Sequence, residues 1–218
     1  MSDIVVTEVS KSYDKREILH SLSFTVNSGE FLSITGESGS GKSTLLSIMG
    51  GVTRPDKGSV SVGGTDIASL SEKELAKMRR TRLGFVYQFF NLIPTMTIRD
   101  NILLPLILDG KKVSRYQEKF DELVAFTHLE KVLNDYPDTL SGGEQQRAAI
   151  LRALIHDPEV ILLDEPTGNL DSENARTVMT LLADLNREYG VTVVQVTHSE
   201  QGAAYGNRTI ILKDGRLL

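Results

Sequence analysis

Gly36-Glu37-Ser38-Gly39-Ser40-Gly41-Lys42-Ser43-Thr44 decides the fold. Residues 36–43 fit G-x-x-x-x-G-K-[ST], in which glycines let successive backbone amides wrap a polyphosphate, the lysine reaches the β and γ groups and the hydroxyl reaches magnesium. The pattern has meaning only if an apolar strand enters the loop and a helix leaves it. Residues 31–35 read as such a strand, and 42–49 carry Leu45, Leu46 and Met49 at helical spacing before Gly50-Gly51 ends the helix. The expectation is an α/β core that binds phosphate.

A second stretch, Leu140-Ser141-Gly142-Gly143-Glu144, also suits an anion. Ser141 can accept from a first-turn amide, Glu144 can reach back to the Ser141 amide, and the glycines let a ligand approach the backbone. Helix starts attract phosphate. One nucleotide does not obviously need both devices.

With 218 residues and 40% hydrophobic content, the chain suffices for one sizeable α/β core with a small insertion. A net charge of −5 argues against a general nucleic-acid binder, and Lys77, Arg79, Arg80 and Arg82 read as a solvated face. There is no cysteine for a disulfide or thiolate metal site. No apolar run approaches the roughly 20 residues that span a bilayer, and Met1-Ser2-Asp3 lacks the basic and apolar regions of a signal peptide. The expectation is a soluble intracellular chain.

Further strands are predicted at 4–9, 22–26, 59–62, 83–87, 160–163, 191–196 and 209–212. The unbroken apolar run 160–163 points to a strand buried on both faces. Residues 89–139 read as helices without strands, an insertion into the core. Capping patterns start helices at Ser71 with Glu74, Thr97 with Asp100, and Ser114 with Gln117. The last would put Tyr116, Phe120, Leu123, Val124 and Thr127 on one face. A long helix covers 172–189, and no separate C-terminal module is expected. The loop 89–96, with Phe89, Phe90 and Met96, suits either core packing or an exposed docking surface.

Asp164 and Glu165 end the buried strand 160–163, where ligands collect in open parallel sheets. They suit a metal-and-water pair, or are two solvated acids where a strand stops. Gln88 and His198 each follow an apolar strand, as candidate ligands of metal and γ-phosphate or as polar boundary residues. Tyr13, read in a turn after the first strand, suits stacking on adenine or a lid on the local core. Asp171 fits a helix cap. His20, His128 and His156 show no ligand spacing and read as surface or satisfied residues.

Taken in order, these motifs resemble the nucleotide-binding subunit of an ABC (ATP-binding cassette) system over nearly the whole chain. The loop 36–44 is similar to the Walker A motif, Gln88 to the Q-loop glutamine, 140–146 to the signature motif and 160–165 to Walker B with its catalytic glutamate. Asn169-Leu170-Asp171 is similar to the D-loop, His198 to the switch histidine and Tyr13 to the adenine-stacking aromatic. The stretches around Gln88 and Glu165 look most like the lipoprotein-release, macrolide-export and antimicrobial-peptide-resistance branch. Glu37 stands where that branch often has proline, and the motif survives it.

The resemblance implies a P-loop NTPase fold with a mainly parallel core sheet, an antiparallel β subdomain and an inserted helical subdomain. The ATP-binding core would be 1–88 and about 144–218, the helical subdomain about 89–143. It implies catalytic roles for Glu165, His198 and Lys42, and magnesium held by Ser43, Gln88 and Asp164. ATP would contact Tyr13, Gly36, Ser38, Gly39, Ser40, Gly41, Lys42, Ser43, Thr44, Gln88 and Asp171. Ser141, Gly142 and Gly143 would reach ATP bound by a second copy, in a head-to-tail homodimer closed by ATP. A separate integral membrane permease would hold the chain at the cytoplasmic face of the membrane, with no direct nucleic-acid contact. The rival reading is a soluble ABC ATPase acting on nucleic acid or ribosomes, a class that generally carries two cassettes or a long coiled-coil insertion.

Overall fold

Glu8 and Ser21 explain why the first two strands outrun their apolar alternation. The computed structural model describes residues 2–14 and 16–218, so Met1 and Lys15 of the expected core lie outside it. Strands β1 (Ser2–Tyr13) and β2 (Arg16–Asn27) pair antiparallel. Burial runs Ile4, Val6 and then Val9 in β1, and Leu19 and then Leu22 in β2, so each phase slips by one. The slips coincide with left-handed backbone at Glu8 (φ 49°) and Ser21 (φ 51°) and with register shifts between Val6 and Val9 and between Val9 and Lys11. Bulges of this kind interrupt a period of two without ending the strand. The shorter strands predicted at 4–9 and 22–26 are fragments of these. β4 (Lys57–Val62) pairs with β1, and β5 (Thr65–Asp66) closes an antiparallel sheet ordered β2-β1-β4-β5.

The second sheet is ordered β10-β9-β3-β8-β7-β6, from β10 (Arg216–Leu217), β9 (Arg208–Lys213), β3 (Phe31–Thr35), β8 (Thr192–Thr197), β7 (Val160–Asp164) and β6 (Leu83–Val86). All of its pairings are parallel except β10 with β9. Helix α1 (Lys42–Met49) lies between the sheets, with Leu45, Leu46, Ile48 and Met49 packed among Ile4, Val6, Val60 and Val62 on one side and Leu162 and Val194 on the other. The alternate residues Ile161, Leu163 and Val193 face α5 (Gly142–Leu154) and α6 (Ser172–Tyr189). Coverage of both faces is why 160–163 carries no polar residue.

Helix α2 (Glu72–Thr81) begins with the expected capping box at Ser71 and Glu74, and Thr97 caps α3 (Ile98–Leu108). Ser114 does not cap α4 (Gln117–Thr127). A 3-10 turn over Val113–Tyr116 runs straight into that helix, removing the extended backbone an N-cap needs. Phe120, Leu123, Val124 and Thr127 are nevertheless its buried face. The short elements β5, β10 and α7 (Glu200–Ala203) are too brief for any period and went unpredicted. Nor are the arginines near residue 80 merely solvated: Arg79 donates to the Gly51 carbonyl at 2.6 Å, and Arg82 forks onto both carboxylate oxygens of Glu159 at 2.7 and 2.8 Å.

Asn101 on α3 is fully buried and organises the preceding loop. Its Oδ1 accepts from Ile93 N at 2.7 Å, and its Nδ2 faces the carbonyls of Ile93, Met96 and Thr97 at 3.0–3.2 Å. Asn101→Leu removes every one of those partners. It is expected to cost about 1–3 kcal/mol in urea denaturation.

Candidate functional site

Because β3, β8, β7 and β6 are parallel, their carboxyl ends share one edge, and each hands on to a residue singled out in the sequence: the glycine loop, His198, Glu165 and Gln88. That edge is where open parallel sheets take ligands. A cleft of about 400 Å³ opens there, walled by Ser38, Gly39, Gly41, Lys42, Ser43 and Thr44 of the loop and by Gln88, Glu165 and His198. Ile18 adds an apolar wall that sequence reasoning missed. Its signal was the apolar pair Ile18-Leu19, which the slip at Ser21 puts out of phase with Leu22, Phe24 and Val26.

The loop is built for close approach. A Cβ on Gly36 would lie 2.1 Å from the Leu212 carbonyl oxygen, so only glycine lets the chain leave β3 against β9. Gly41 caps α1 in a left-handed conformation with no side chain on the helix start, leaving the first-turn amides free for an anion. Lys42 is buried, and its Nζ donates to the carbonyls of Gly36 and Glu37 at 2.8 and 2.9 Å, which holds the ammonium at the mouth of the loop. Ser40 is buried beneath it, its hydroxyl unpaired.

Ser43 Oγ donates to Asp164 Oδ1 at 3.0 Å. Burial pushes the Asp164 carboxyl above the usual range, opposed by the Ser43 bond and by Lys42 and reinforced by Glu165. A carboxylate short of counter-charge beside a hydroxyl fits magnesium, which takes one or two protein carboxylates and completes its shell with phosphate and water. Among the described residues no cluster of three or more His, Cys, Asp or Glu forms an all-protein cage.

Glu165 has φ 47°, a left-handed conformation that a non-glycine residue holds at a cost of about 1–2 kcal/mol. Its amide donates to Val196 O at 3.0 Å, and its carboxylate meets His198 Nδ1 at 2.9 Å and the His198 amide at 3.3 Å. Backbone strain of this kind clusters at functional sites. Asn169 Nδ2 donates to the Gln88 carbonyl at 2.6 Å, tying the loop after β6 to the segment before α6.

Tyr13, Ser141, Gly142, Gly143 and Asp171 do not wall this cleft. Tyr13 is the last residue of β1 rather than part of a turn, and it is 47% exposed with Lys11 Nζ 5.4 Å from its ring centre. Asp171 caps α6, accepting from the amides of Glu173 and Asn174 at 3.0 and 2.9 Å. The capping box of α5 is formed, with Glu144 Oε2 accepting from the Ser141 amide at 2.9 Å and hydroxyl at 2.5 Å. Gly143 packs so closely that a Cβ would sit 2.3 Å from Asn174 Oδ1, itself on the first turn of α6. His20 pairs with Glu17, and His128 ends α4. His156 is buried with Nε2 3.0 Å from Leu83 O and Nδ1 unpaired, so it is neither a surface residue nor fully satisfied. In the loop 89–96, Phe89 is 71% exposed, while Phe90 and Leu92 pack on the core.

A sequence model described as ABC transporter matches residues 19–168. The chain belongs to the ABC transporter family. It is 40% identical over 221 residues to the bacitracin export ATP-binding protein BceA of Halalkalibacterium halodurans, covering 100% of this chain and 87% of that one. It is 39% identical over 211 residues to the lipoprotein-releasing system ATP-binding protein LolD of Cytophaga hutchinsonii, covering 97% and 96%. The fold matches that of the ATP-binding cassette MJ0796 in a dimeric post-hydrolysis state bound to ADP and Pi, with TM-score 0.88, 42% identity and coverage of 98% and 96%. The ABC transporter cassette fold and the resemblance to the lipoprotein-release branch thus stand, and ATPase activity is the general property of the family.

The α5 cap yields a pH prediction. Hydrogen bonds from the Ser141 hydroxyl and amide hold the Glu144 carboxyl below its usual range. A lowered folded value adds stability that is complete above the ordinary glutamate value of about 4.3 and lost as pH falls through the folded one. Glu144→Ala is expected to cost about 0.3–1.5 kcal/mol at neutral pH. In urea titrations across pH, the gap from wild type should narrow in acid.

Proposed function

We propose that this chain is the ATP-hydrolysing subunit of an ABC complex, and that two copies close head to tail on ATP to drive a separate membrane partner. The observation that carries this reading is the division of labour: Lys42, Ser43, Gln88, Glu165 and His198 share one cleft, while the helix start at Ser141 lies outside it. A second copy is the economical source of what that cleft lacks. Its Ser141 side chain and the Gly142 and Gly143 amides would approach the γ-phosphate, with Asp171 beside them. The exposed ring of Tyr13 would stack on adenine.

In the reaction, a water attacks the γ-phosphorus in line and passes a proton to the Glu165 carboxylate, while the bond to the β–γ bridging oxygen breaks and its electron pair leaves with ADP. His198 orients that carboxylate through Nδ1–H, 2.9 Å from it, and with both ring nitrogens protonated also donates to the γ-phosphate through Nε2–H. Lys42 and the loop amides carry the developing charge. Ser43, Gln88 and Asp164 would hold magnesium, whose chemistry is to neutralise the β- and γ-oxygens.

No helix among the described residues is long and apolar enough to cross a membrane. The membrane partner would dock in the groove of about 410 Å³ that Tyr87, Asn91, Leu104, Pro105 and Leu108 help to line, beside exposed Phe89. This would place the chain at the cytoplasmic face, with residues 1–88 and about 144–218 as ATP-binding core and about 89–143 as helical subdomain. Export, lipoprotein release or transmitted force would be the partner's work.

Glu165→Gln removes the base and keeps the phosphate contacts. It is expected to cut steady-state hydrolysis by at least about a hundredfold and to dimerise with ATP in analytical ultracentrifugation. Adding Ser141→Arg should return it to monomer. Hydrolysis at the wild-type rate by Glu165→Gln would show that another group is the base.

A further inference from the structure

Two consecutive residues of the loop after β6, Phe90 (φ 60°) and Asn91 (φ 51°), hold left-handed backbone. Non-glycine residues do so only where the surroundings over-determine them. Arg152 supplies the constraint, donating from its two terminal nitrogens to the Asn91 carbonyl at 2.5 Å and the Phe90 carbonyl at 2.8 Å. A planar guanidinium fork matches two neighbouring carbonyls, whereas a lysine ammonium is a point donor. Among the described residues Arg152 makes no ion pair with a carboxylate, so these carbonyls are what its charge serves.

Arg152 sits in the last turn of α5, the helix that Ser141 begins. The same loop also faces the other end of that helix: the Phe90 ring lies 3.7 Å from where a Gly142 Cβ would be. Gln88, two residues before Phe90, walls the nucleotide cleft. The loop is thus tied by two hydrogen bonds to the last turn of α5 and faces its first.

We propose that Arg152 is a positioning residue that makes the Gln88 loop and the Ser141 helix move as one body, so that the cleft of one copy and the surface it offers the other are set together. This rests on the ATPase reading above. Arg152 also lines the groove assigned to the membrane partner, so a load on that groove reaches Gln88 through the same fork.

The test uses Arg152→Met and Arg152→Lys in the full chain, with Gln88→Ala to complete a double-mutant cycle. Circular dichroism and urea melts report folding, and equilibrium titration with a fluorescent ATP analogue reports nucleotide affinity. Arg152→Met should leave nucleotide affinity unchanged and lower kcat about tenfold, the scale of one charged hydrogen bond. Arg152→Lys, which keeps the charge and reaches one carbonyl, should fall between. Gln88→Ala combined with Arg152→Met should be no slower than the slower single variant, because both disable one device. Additive losses, unchanged kcat, or a loss confined to nucleotide affinity overturn the proposal. If Arg152→Met does not fold, Arg152→Lys decides by the same readouts, alone and with Gln88→Ala. A wild-type chain without turnover overturns the ATPase reading, and this inference with it.

Discussion

Parallel pairing of β6, β7, β8 and β3, buried on both faces, is the constraint on which everything else rests. Parallel strands place like ends together, so a sheet that buries Val160, Ile161, Leu162 and Leu163 between two hydrophobic layers also gathers Gln88, Glu165, His198 and the glycine loop at one edge. No local preference in the chain brings those residues within reach of one another. The packing of α1 between the two sheets does the same for phosphate. It fixes an uncapped helix start at the end of β3, where the amides of Lys42 and Ser43 look into the cleft.

The two helix starts differ in a way that fits two jobs. That of α1 is bare of side-chain caps and lies in a cleft with an ammonium, a hydroxyl and a carboxylate. That of α5 is closed by Ser141 and Glu144, packed on Asn174, and lies outside that cleft. On the proposed reading the first is a binding site within one chain. The second is a rigid surface whose partner, on this account, is another copy.

Much of the core was legible in the sequence because its constraints are local or periodic. The loop glycines, the unbroken run 160–163 and the Ser71 and Ser141 capping boxes each follow from chemistry a few residues wide. Gln88 and His198 were ambiguous as residues, because strand direction is a property of the sheet and not of the strand. Bulges at Glu8 and Ser21 hid the true length of β1 and β2, and with it Ile18. Arg152 was invisible for a further reason: the carbonyls that give it its role lie 61 and 62 residues away in sequence. Ser114 misled because a cap pattern says nothing about a tight turn already under way.

On the proposed reading, ATP joins the loop of one chain to the Ser141 helix of another. The chain has no cysteine, so Ser38→Cys and Ser141→Cys, made in separate chains that both carry Glu165→Gln, report that contact when mixed with a short bis-maleimide. The account predicts a covalent dimer, seen on a denaturing gel, that joins one variant to the other, forms with ATP and fails without it. Linkage that ignores ATP, or a link within one chain when both cysteines are placed in it, would contradict it.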